Sequence, residues 1–574
     1  MGPRLRPTDN TGPVSKTYQI SQAYIRSGCI VRIQGNINKL RTDKLTLKST
    51  HILKCICLLS LSLSTICCAQ AGELVIGEGV PVNPGVFGAN NNNATPDNRP
   101  GQPEYAALIK ALGVRHLRYI GGSSSSFWDW ETGHYIPEDE ITSIWAADHG
   151  NWMLELAAPT AELPAGTLGP DNYANFAEQA GVDVQWLVNL TTRHQDQAGF
   201  VRHLKANDLP LDFIEMDNET YFWSKEFSGP QGAQLYADRV KELTQVVREH
   251  YPEARIGIVA WEESFFEEHG HQGSPTQNNW DSIITSADNR PYFDAFILHH
   301  YLMNTSRLDA YDNQVDRSKA FLAYPQSTLE RAGRIIAEAY GPIPMWITEY
   351  NVIGYYRIGN PNDEKPDNDL TDGDKWIAST AHTGWNALYQ AGFWLTGLCH
   401  PESIEILNHH SVSNIELGWG LGVHVSMTEG DISATGQLFA HLSHLAMQHD
   451  KMHAVQVKGN ELLGVTIEAD PGMGALHAAA LSSDDRLTLI VINRSDQPVE
   501  ASLPHDSRFT SADITTYLAT ETIEKTARVK YDAEAPVWAQ GPMHPDKQQA
   551  ALDASGLLKK TLPGYSLTVI ELKP

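Results

Sequence analysis

Short apolar runs and longer amphipathic stretches alternate along most of this chain. Eight runs have strand length: Gly85–Ala89, Arg115–Tyr119, Gln185–Asn189, Phe213–Met216, Arg255–Val259, Ala295–Leu298, Met345–Thr348 and Ile404–Leu407. Between them lie stretches of helical periodicity, clearest at Gln231–His250, Ser327–Ala339, Trp376–Ala391 and Ala434–Gln448. Strands that alternate with helices bury both faces of a parallel sheet, and eight such units predict an α/β fold, a (β/α)8 TIM barrel over residues 85–448. The loops near 121–170, 262–279 and 354–375 are long, polar and rich in Gly, Pro and Asn, as loops that shape a cleft at a barrel rim are.

From about residue 450 the texture changes to short alternating runs, such as Leu487–Asn493 and Tyr565–Leu572, separated by turn residues. This pattern predicts a β-sandwich. Glu73–Asn83 is also strand-like, so an accessory domain is expected from residues 73–84 together with 450–574.

The N-terminal stretch differs from both. Lys39, Arg41, Lys44, Lys48 and Lys54 precede an apolar run from Ile56 to Cys67, too short to span a bilayer in a folded protein. Ala69-Gln70-Ala71 then supplies a small-x-small cleavage pattern, so residues 1–71 read as a signal peptide with a mature start near Gly72. Residues 1–44 are either a genuine extension or the product of a mis-set translation start near Leu45 or Leu47. Neither Cys67 nor Cys68 has the flanking residues of a lipoprotein signal. A secreted or periplasmic protein is expected, free of the membrane after cleavage.

Charge and cysteines narrow the partners. Without the leader's ten Lys/Arg and two Asp/Glu, 33 bases face 67 acids, a net −34 that repels nucleic acid and anionic membrane. Five of the six cysteines lie in the leader, which leaves Cys399 alone in an apolar stretch and excludes an internal disulfide. Its surroundings read as those of a buried, inert thiol.

Two strands end in glutamate: Phe213-Ile-Glu-Met-Asp-Asn-Glu219 and Met345-Trp-Ile-Thr-Glu349. In a parallel barrel both emerge at the C-terminal rim, where such barrels carry their chemistry. Two carboxylates across a cleft are the equipment for glycosidic cleavage, one donating a proton and one attacking the anomeric carbon. A nucleophilic carboxylate must stay ionised, and Arg118 and Tyr301 stand at two other strand ends where they can support Glu349. Singly, Arg118 reads as a structural ion pair and Tyr301 as a cleft-wall aromatic; four such residues at four strand ends read as a site. Asn218 is placed to bond a sugar 2-hydroxyl or to satisfy its own loop.

These motifs resemble those of clan A glycoside hydrolases, marked by Asn-Glu after strand four and Glu after strand seven. Leu117-Arg-Tyr-Ile-Gly-Gly-Ser123, Phe127-Trp-Asp-Trp130, Ile214-Glu-Met-Asp-Asn-Glu219 and Ile347-Thr-Glu-Tyr-Asn351 are similar to the heparanase/β-glucuronidase and α-L-arabinofuranosidase groups. The resemblance implies a retaining enzyme with Glu219 as acid/base and Glu349 as nucleophile, no cofactor, and a carbohydrate substrate. Many relatives have Gly-Asn-Glu where this chain has Asp217-Asn218-Glu219, so the substrate is not carried over from either group.

Further candidates to bind or support substrate are Asn90, Asn189, Trp261, His300, Tyr350, Asn408 and His409. Asn90 and Asn189 bind hydroxyls or cap loops; Trp261 stacks on sugar or packs in the core. Arg193 and the histidines are candidates for contacts to hydroxyls or sulfates. A metal site built on His299–His300 or His409–His410 is disfavoured, because neighbours on an extended strand face opposite ways. Glu262 and Glu263 sit in an acidic loop that reads as a solvated face. The rivals to a hydrolase are a glycan-binding protein on the same scaffold and a transglycosylase that uses the same residues.

Overall fold

The computed structural model describes residues 72–91, 102–144, 163–227, 231–261, 279–302, 306–352, 371–381, 383–413, 420–423, 426–467, 472–519, 526–531, 534–552 and 555–574. The expected leader, Glu262 and Glu263, and most of the loops near 262–279 and 354–375 lie outside the described residues.

Strand β1 (Gly72–Pro81) belongs to the C-terminal sheet. The next strands in the chain build a closed parallel barrel: β2 (Gly88–Asn90), β3 (His116–Tyr119), β6 (Asp183–Val188), β7 (Phe213–Met216), β8 (Arg255–Val259), β9 (Ala295–Leu302), β10 (Met345–Val352) and β11 (Ile404–His409). A small hairpin, β4 (Trp128–Asp129) and β5 (His134–Tyr135), lies between β3 and β6 in the sequence. Each barrel strand pairs with its sequence neighbours, and β11 closes on β2.

The interior of the barrel is layered. Trp346, Ala295, Ile297, Ile406 and Phe213 form an apolar plug, and Trp346 Nε1 donates to Glu405, which Arg255 grips with two nitrogens at 3.1 and 2.8 Å. The ring reaches so far that a Cβ on Gly257 would lie 2.5 Å from it, so the wide residue on β10 requires the bare one on β8. Above the plug the lining turns polar, with Gln185, Asn408, Glu215 and Thr348 fully buried. The rest of the core lies between the strands and the surrounding helices.

Three expected elements differ in detail. The run Gly85–Ala89 is only partly strand, because Pro84 opens a short 3-10 turn through Phe87, capped by Asn83 on Gly85 N at 2.9 Å. The stretch Trp376–Ala391 is two helices, Asp372–Thr380 and Gly384–Cys399, with Thr383 capping the second at Trp385 N. The helix expected at Ser327–Ala339 begins much earlier and runs Gln314–Tyr340, with Pro325 inside it. The Cys399 thiol is pushed up to about 12 by burial and donates to Ala478 O.

Beyond the barrel, β1 joins β14 (Lys451–Lys458), β15 (Leu476–Ser483), β16 (Arg486–Asn493), β17 (Val499–Pro504), β18 (Ser511–Leu518), β20 (Asp546–Ala551), β21 (Leu557–Leu562) and β22 (Ser566–Lys573). They hydrogen-bond in the order β20-β18-β22-β16-β15-β14-β1-β17-β21. Alternation splits the faces: Ala478, Leu489, Val491 and Ile570 pack into a core of the sheet's own, while Ala479, Ile490, Ile492 and Val569 join the barrel's. Lys560 on β21 reaches Gln548 on β20 at 2.6 Å, so the sheet rolls until its outer strands meet and encloses a sandwich core. A third sheet of three strands, β12 (Gly422–Val423), β13 (Glu429–Ser433) and β19 (Thr526–Lys530), links the two regions.

Candidate active site

Arg118 on β3 is the centre of the polar layer. It is fully buried and holds Glu215 with two nitrogens, Nε to Oε2 at 2.7 Å and Nη2 to Oε1 at 2.6 Å. Its Nη1 donates to Glu349 Oε1 at 2.7 Å, and Nη2 also donates to Asn218 Oδ1 at 2.6 Å. Gln185 Nε2 adds a bond to Glu215 at 3.0 Å and itself accepts from Asn408 at 2.7 Å. Burial of Arg118 disfavours its charge, but Glu215 and Glu349 outweigh this and leave it firmly cationic.

Glu349 reaches the interior by an irregularity in β10. The register against β9 shifts between Ile347 and Glu349, so Thr348 bonds Glu215 while Glu349 also turns inward. Its other oxygen, Oε2, accepts from Tyr301 at 2.5 Å and lies 3.7 Å from His299 Nδ1 and 3.5 Å from His410 Nδ1. Burial pushes the Glu349 carboxyl up, yet the neighbouring cations and the Tyr301 bond outweigh it and hold it well below the usual carboxylate range. His410 is itself driven down to about 4 by burial, so Arg118 is the permanent cation beside Glu349, and the two glutamates raise the proton affinity of His299.

Glu219 is the more open carboxylate, with its side chain 20% exposed against 8% for Glu349. It follows β7 where the backbone twists through left-handed conformations, φ 73° at Asp217 and 44° at Glu219. Its Oε1 meets His299 Nδ1 at 2.7 Å. Thr348 Oγ1 gives its one proton to Glu215, so it accepts from His299 Nε2 at 3.0 Å. Nε2 is therefore protonated, and one further proton lies on the contact between His299 Nδ1 and Glu219. Burial opposes a charge on His299, and the two glutamates overcome it and raise its affinity for the proton.

The structure brings together Glu219, Glu349, Asn218, Arg118 and Tyr301, with Asn90 beside them. Asn90 Nδ2 lies 3.2 Å from His410 Nδ1 and donates to Thr348 O at 3.4 Å. Asn408 sits lower, beneath the ion pairs. The other candidates are placed elsewhere. Tyr350 and His409 face outward from β10 and β11, where Tyr350 packs on Phe393 and accepts from Trp394 at 2.6 Å. His300 likewise turns out, to Thr328 on helix Gln314–Tyr340. Trp261 is buried against Tyr221, and Asn189 ties its loop to Ser126 O and Thr192. Arg193 pairs with Glu140 at 3.2 Å.

Glu215, Thr348 and Gln185 join the site without standing out in the sequence, and His299 rather than His300 faces the two glutamates. Strand alternation held the signal: His299 shares its face with Tyr301, and His300 does not. Among the described residues, no three His, Cys, Asp or Glu side chains converge as a metal site requires.

The fold is shared with solved glycoside hydrolase structures. An α-L-arabinofuranosidase from Thermotoga maritima superposes with a TM-score of 0.57 at 15% identity, over 88% of this chain and 100% of its own. A family 51 α-L-arabinofuranosidase from Bifidobacterium longum gives 0.59 at 16%, over 87% and 99%. A glycoside hydrolase family 44 xyloglucanase from Paenibacillus polymyxa gives 0.51 at 11%, over 88% and 100%. No family model and no curated protein sequence matches the chain. The architecture is thus the barrel with C-terminal β-sandwich found in family 51 enzymes, at sequence identities that carry the fold alone.

Proposed function

We propose that this protein is a glycoside hydrolase that cleaves O-glycosidic bonds of an oligo- or polysaccharide by double displacement. Glu349 attacks the anomeric carbon while Glu219 delivers a proton to the departing oxygen. A covalent glycosyl–Glu349 ester results. Glu219, now ionised, takes a proton from water, whose oxygen displaces Glu349 and restores the enzyme.

The observation that carries this reading is His299 Nδ1, which contacts Glu219 at 2.7 Å and lies 3.7 Å from Glu349. Both contacts run to one imidazole nitrogen, so the two carboxylates share one side chain across the cleft, as an acid/base and a nucleophile acting on one bond require. The same residue orients Glu219 through this contact and lies against Glu349, whose ionised form Arg118 and Tyr301 support. The exposure difference agrees: the leaving group and water meet Glu219, and the nucleophile stays shielded.

The structural neighbours act on different glycans by their names, arabinofuranosidase and xyloglucanase among them, so the sugar is left to experiment. Export rests on the leader pattern of residues 1–71; among the described residues no helix is long and apolar enough to cross a membrane. The test is a screen of the protein from Gly72 on aryl glycosides and on plant, algal and animal polysaccharides, with Glu349→Ala as control. Turnover abolished by the substitution supports the proposal. Glycan binding without turnover, or products formed only on an added acceptor sugar, would replace it with one of the two rivals.

A further inference from the structure

Asp217 stands directly between the end of β7 and the Asn218–Glu219 pair, and it is fully buried. Its backbone has φ 73°, a conformation that costs an L-residue energy and a glycine nothing. A side chain kept there must do something that a glycine cannot.

The carboxylate gathers four donors from three barrel loops. Oδ2 accepts from Leu190 N at 2.8 Å and from Thr191 Oγ1 at 2.9 Å, both on the loop after β6. Oδ1 accepts from Asn218 N at 2.8 Å and from Ser126 Oγ at 3.4 Å, the latter in the 3-10 turn Gly122–Phe127 that follows β3. The Leu190 peptide is held from its other side too, where Arg239 Nη1 donates to Leu190 O at 2.7 Å. All four donors to Asp217 are neutral, so they orient its charge without neutralising it.

These bonds fix the peptide that launches Asn218 and Glu219. Asn218 leaves it toward Arg118, and Glu219 leaves it toward His299. We infer that Asp217 is a positioning residue: its carboxylate locks the loops after β3, β6 and β7 into one rim and thereby sets the direction of Asn218 and the reach of Glu219 to His299. This inference rests on the catalytic reading of Glu219 only for its kinetic consequence.

Crystal structures of the protein and of Asp217→Gly read the positioning itself. The Glu219 carboxylate is expected to leave its contact with His299, and the Leu190–Thr191 loop to shift. Superimposable Asn218 and Glu219 would overturn the inference, whatever the substrate proves to be. On the glycoside found by the screen, Asp217→Gly lowers kcat by about 100-fold, the scale of a small misplacement of a catalytic group, with KM within about threefold. Asp217→Asn keeps the shape and the acceptor facing Leu190, but turns an NH2 toward Asn218 N–H, and it loses less. Parental kcat in both variants would also overturn the inference. If the parent cleaves no glycoside, the hydrolase proposal falls alone and the structural comparison still decides the role of Asp217.

Discussion

Arg118 and Glu215 meet in a two-pronged ion pair, Nε to Oε2 at 2.7 Å and Nη2 to Oε1 at 2.6 Å, with neither side chain exposed. Glu215 bonds Arg118, Gln185 and Thr348 within the barrel and is fully buried. Its effect is to fix the one guanidinium that also holds Glu349 and Asn218.

Removing one partner strands the other in the barrel. Arg118→Met leaves Glu215 buried without its cation, and a loss of about 3–5 kcal/mol is expected from breaking such a pair. Urea denaturation measures it. The double variant Arg118→Met/Glu215→Leu should recover most of that stability and none of the activity, since Glu349 has still lost its partner. Equal destabilisation in the single and double variants would contradict the role given to Glu215.

Glu219 matters in proportion to how much the leaving oxygen needs a proton. Glu219→Gln is expected to lower kcat/KM by about 10²–10⁴-fold on a saccharide substrate, the usual range for general acid–base catalysis. On an aryl glycoside whose phenol leaves as a stable anion, the first step should be nearly spared. A uniform loss on both substrates would remove Glu219 from the proton-transfer role.

Tyr301 supports the ionised nucleophile through one hydrogen bond. Tyr301→Phe deletes that bond, and a bond to a charged group is worth about 1.5–3 kcal/mol, or roughly 10- to 150-fold in rate. Because the bond favours the carboxylate, its loss also moves the acid limb of the rate profile to higher pH. A pH profile of kcat/KM reads both effects.

Stability should fall steeply on acidification. Burial drives His116 and His410 down to about 4, His409 and His441 to about 3, and His477 well below its ordinary value of 6.5. Each takes up a proton in the unfolded chain before it does so in the folded one. Their contribution is therefore complete above pH 6.5 and lost as the pH drops through the folded values. Depressed Glu349 acts in the same direction at lower pH. His299, His400, Asp183 and Asp217 run the other way: all are raised, so their contributions fade as the pH climbs. The five histidines outnumber them. A urea midpoint that drops between pH 6.5 and 4, less so in His441→Gln, is the expected result; a midpoint flat across that range would contradict it.

A fifth expectation concerns the barrel floor. Gly257→Ala puts a methyl 2.5 Å from the Trp346 ring and should cost about 1–3 kcal/mol, the usual penalty for overfilling a packed core. The companion change Trp346→Leu should return part of it, read as a positive coupling in a double-mutant cycle.

The barrel was legible because its strands are apolar runs, and all eight appear where the sequence indicated. Their ends were not. β9, β10 and β11 run on through His-His-Tyr-Leu, Glu-Tyr-Asn-Val and Asn-His, where polar side chains hide the strand from any reading of hydrophobicity. His299, Tyr301 and Glu349 sit in those polar extensions. Hence Glu219, Glu349, Arg118 and Tyr301 could be picked out by residue type, while His299 against His300 required knowing which face pointed inward. Glu215 was hidden for the opposite reason: it lies inside an apolar run, and only its buried partner shows why a charge is tolerated there. Asp217 was noticed as a departure from the Gly-Asn-Glu of similar enzymes, but its left-handed backbone is visible only in three dimensions.

Strand β1 ends up between β14 and β17, with Val75 opposite Gln456 and Gly72 beside Ala501. The first described segment to leave the ribosome therefore waits for partners made more than three hundred and fifty residues later. Until they arrive, β1 is the one strand of the nine-stranded sheet already made, and the barrel's covering face is incomplete. An early segment thus closes over a late one, so the sheet around β1 can form only after the barrel segment has been made.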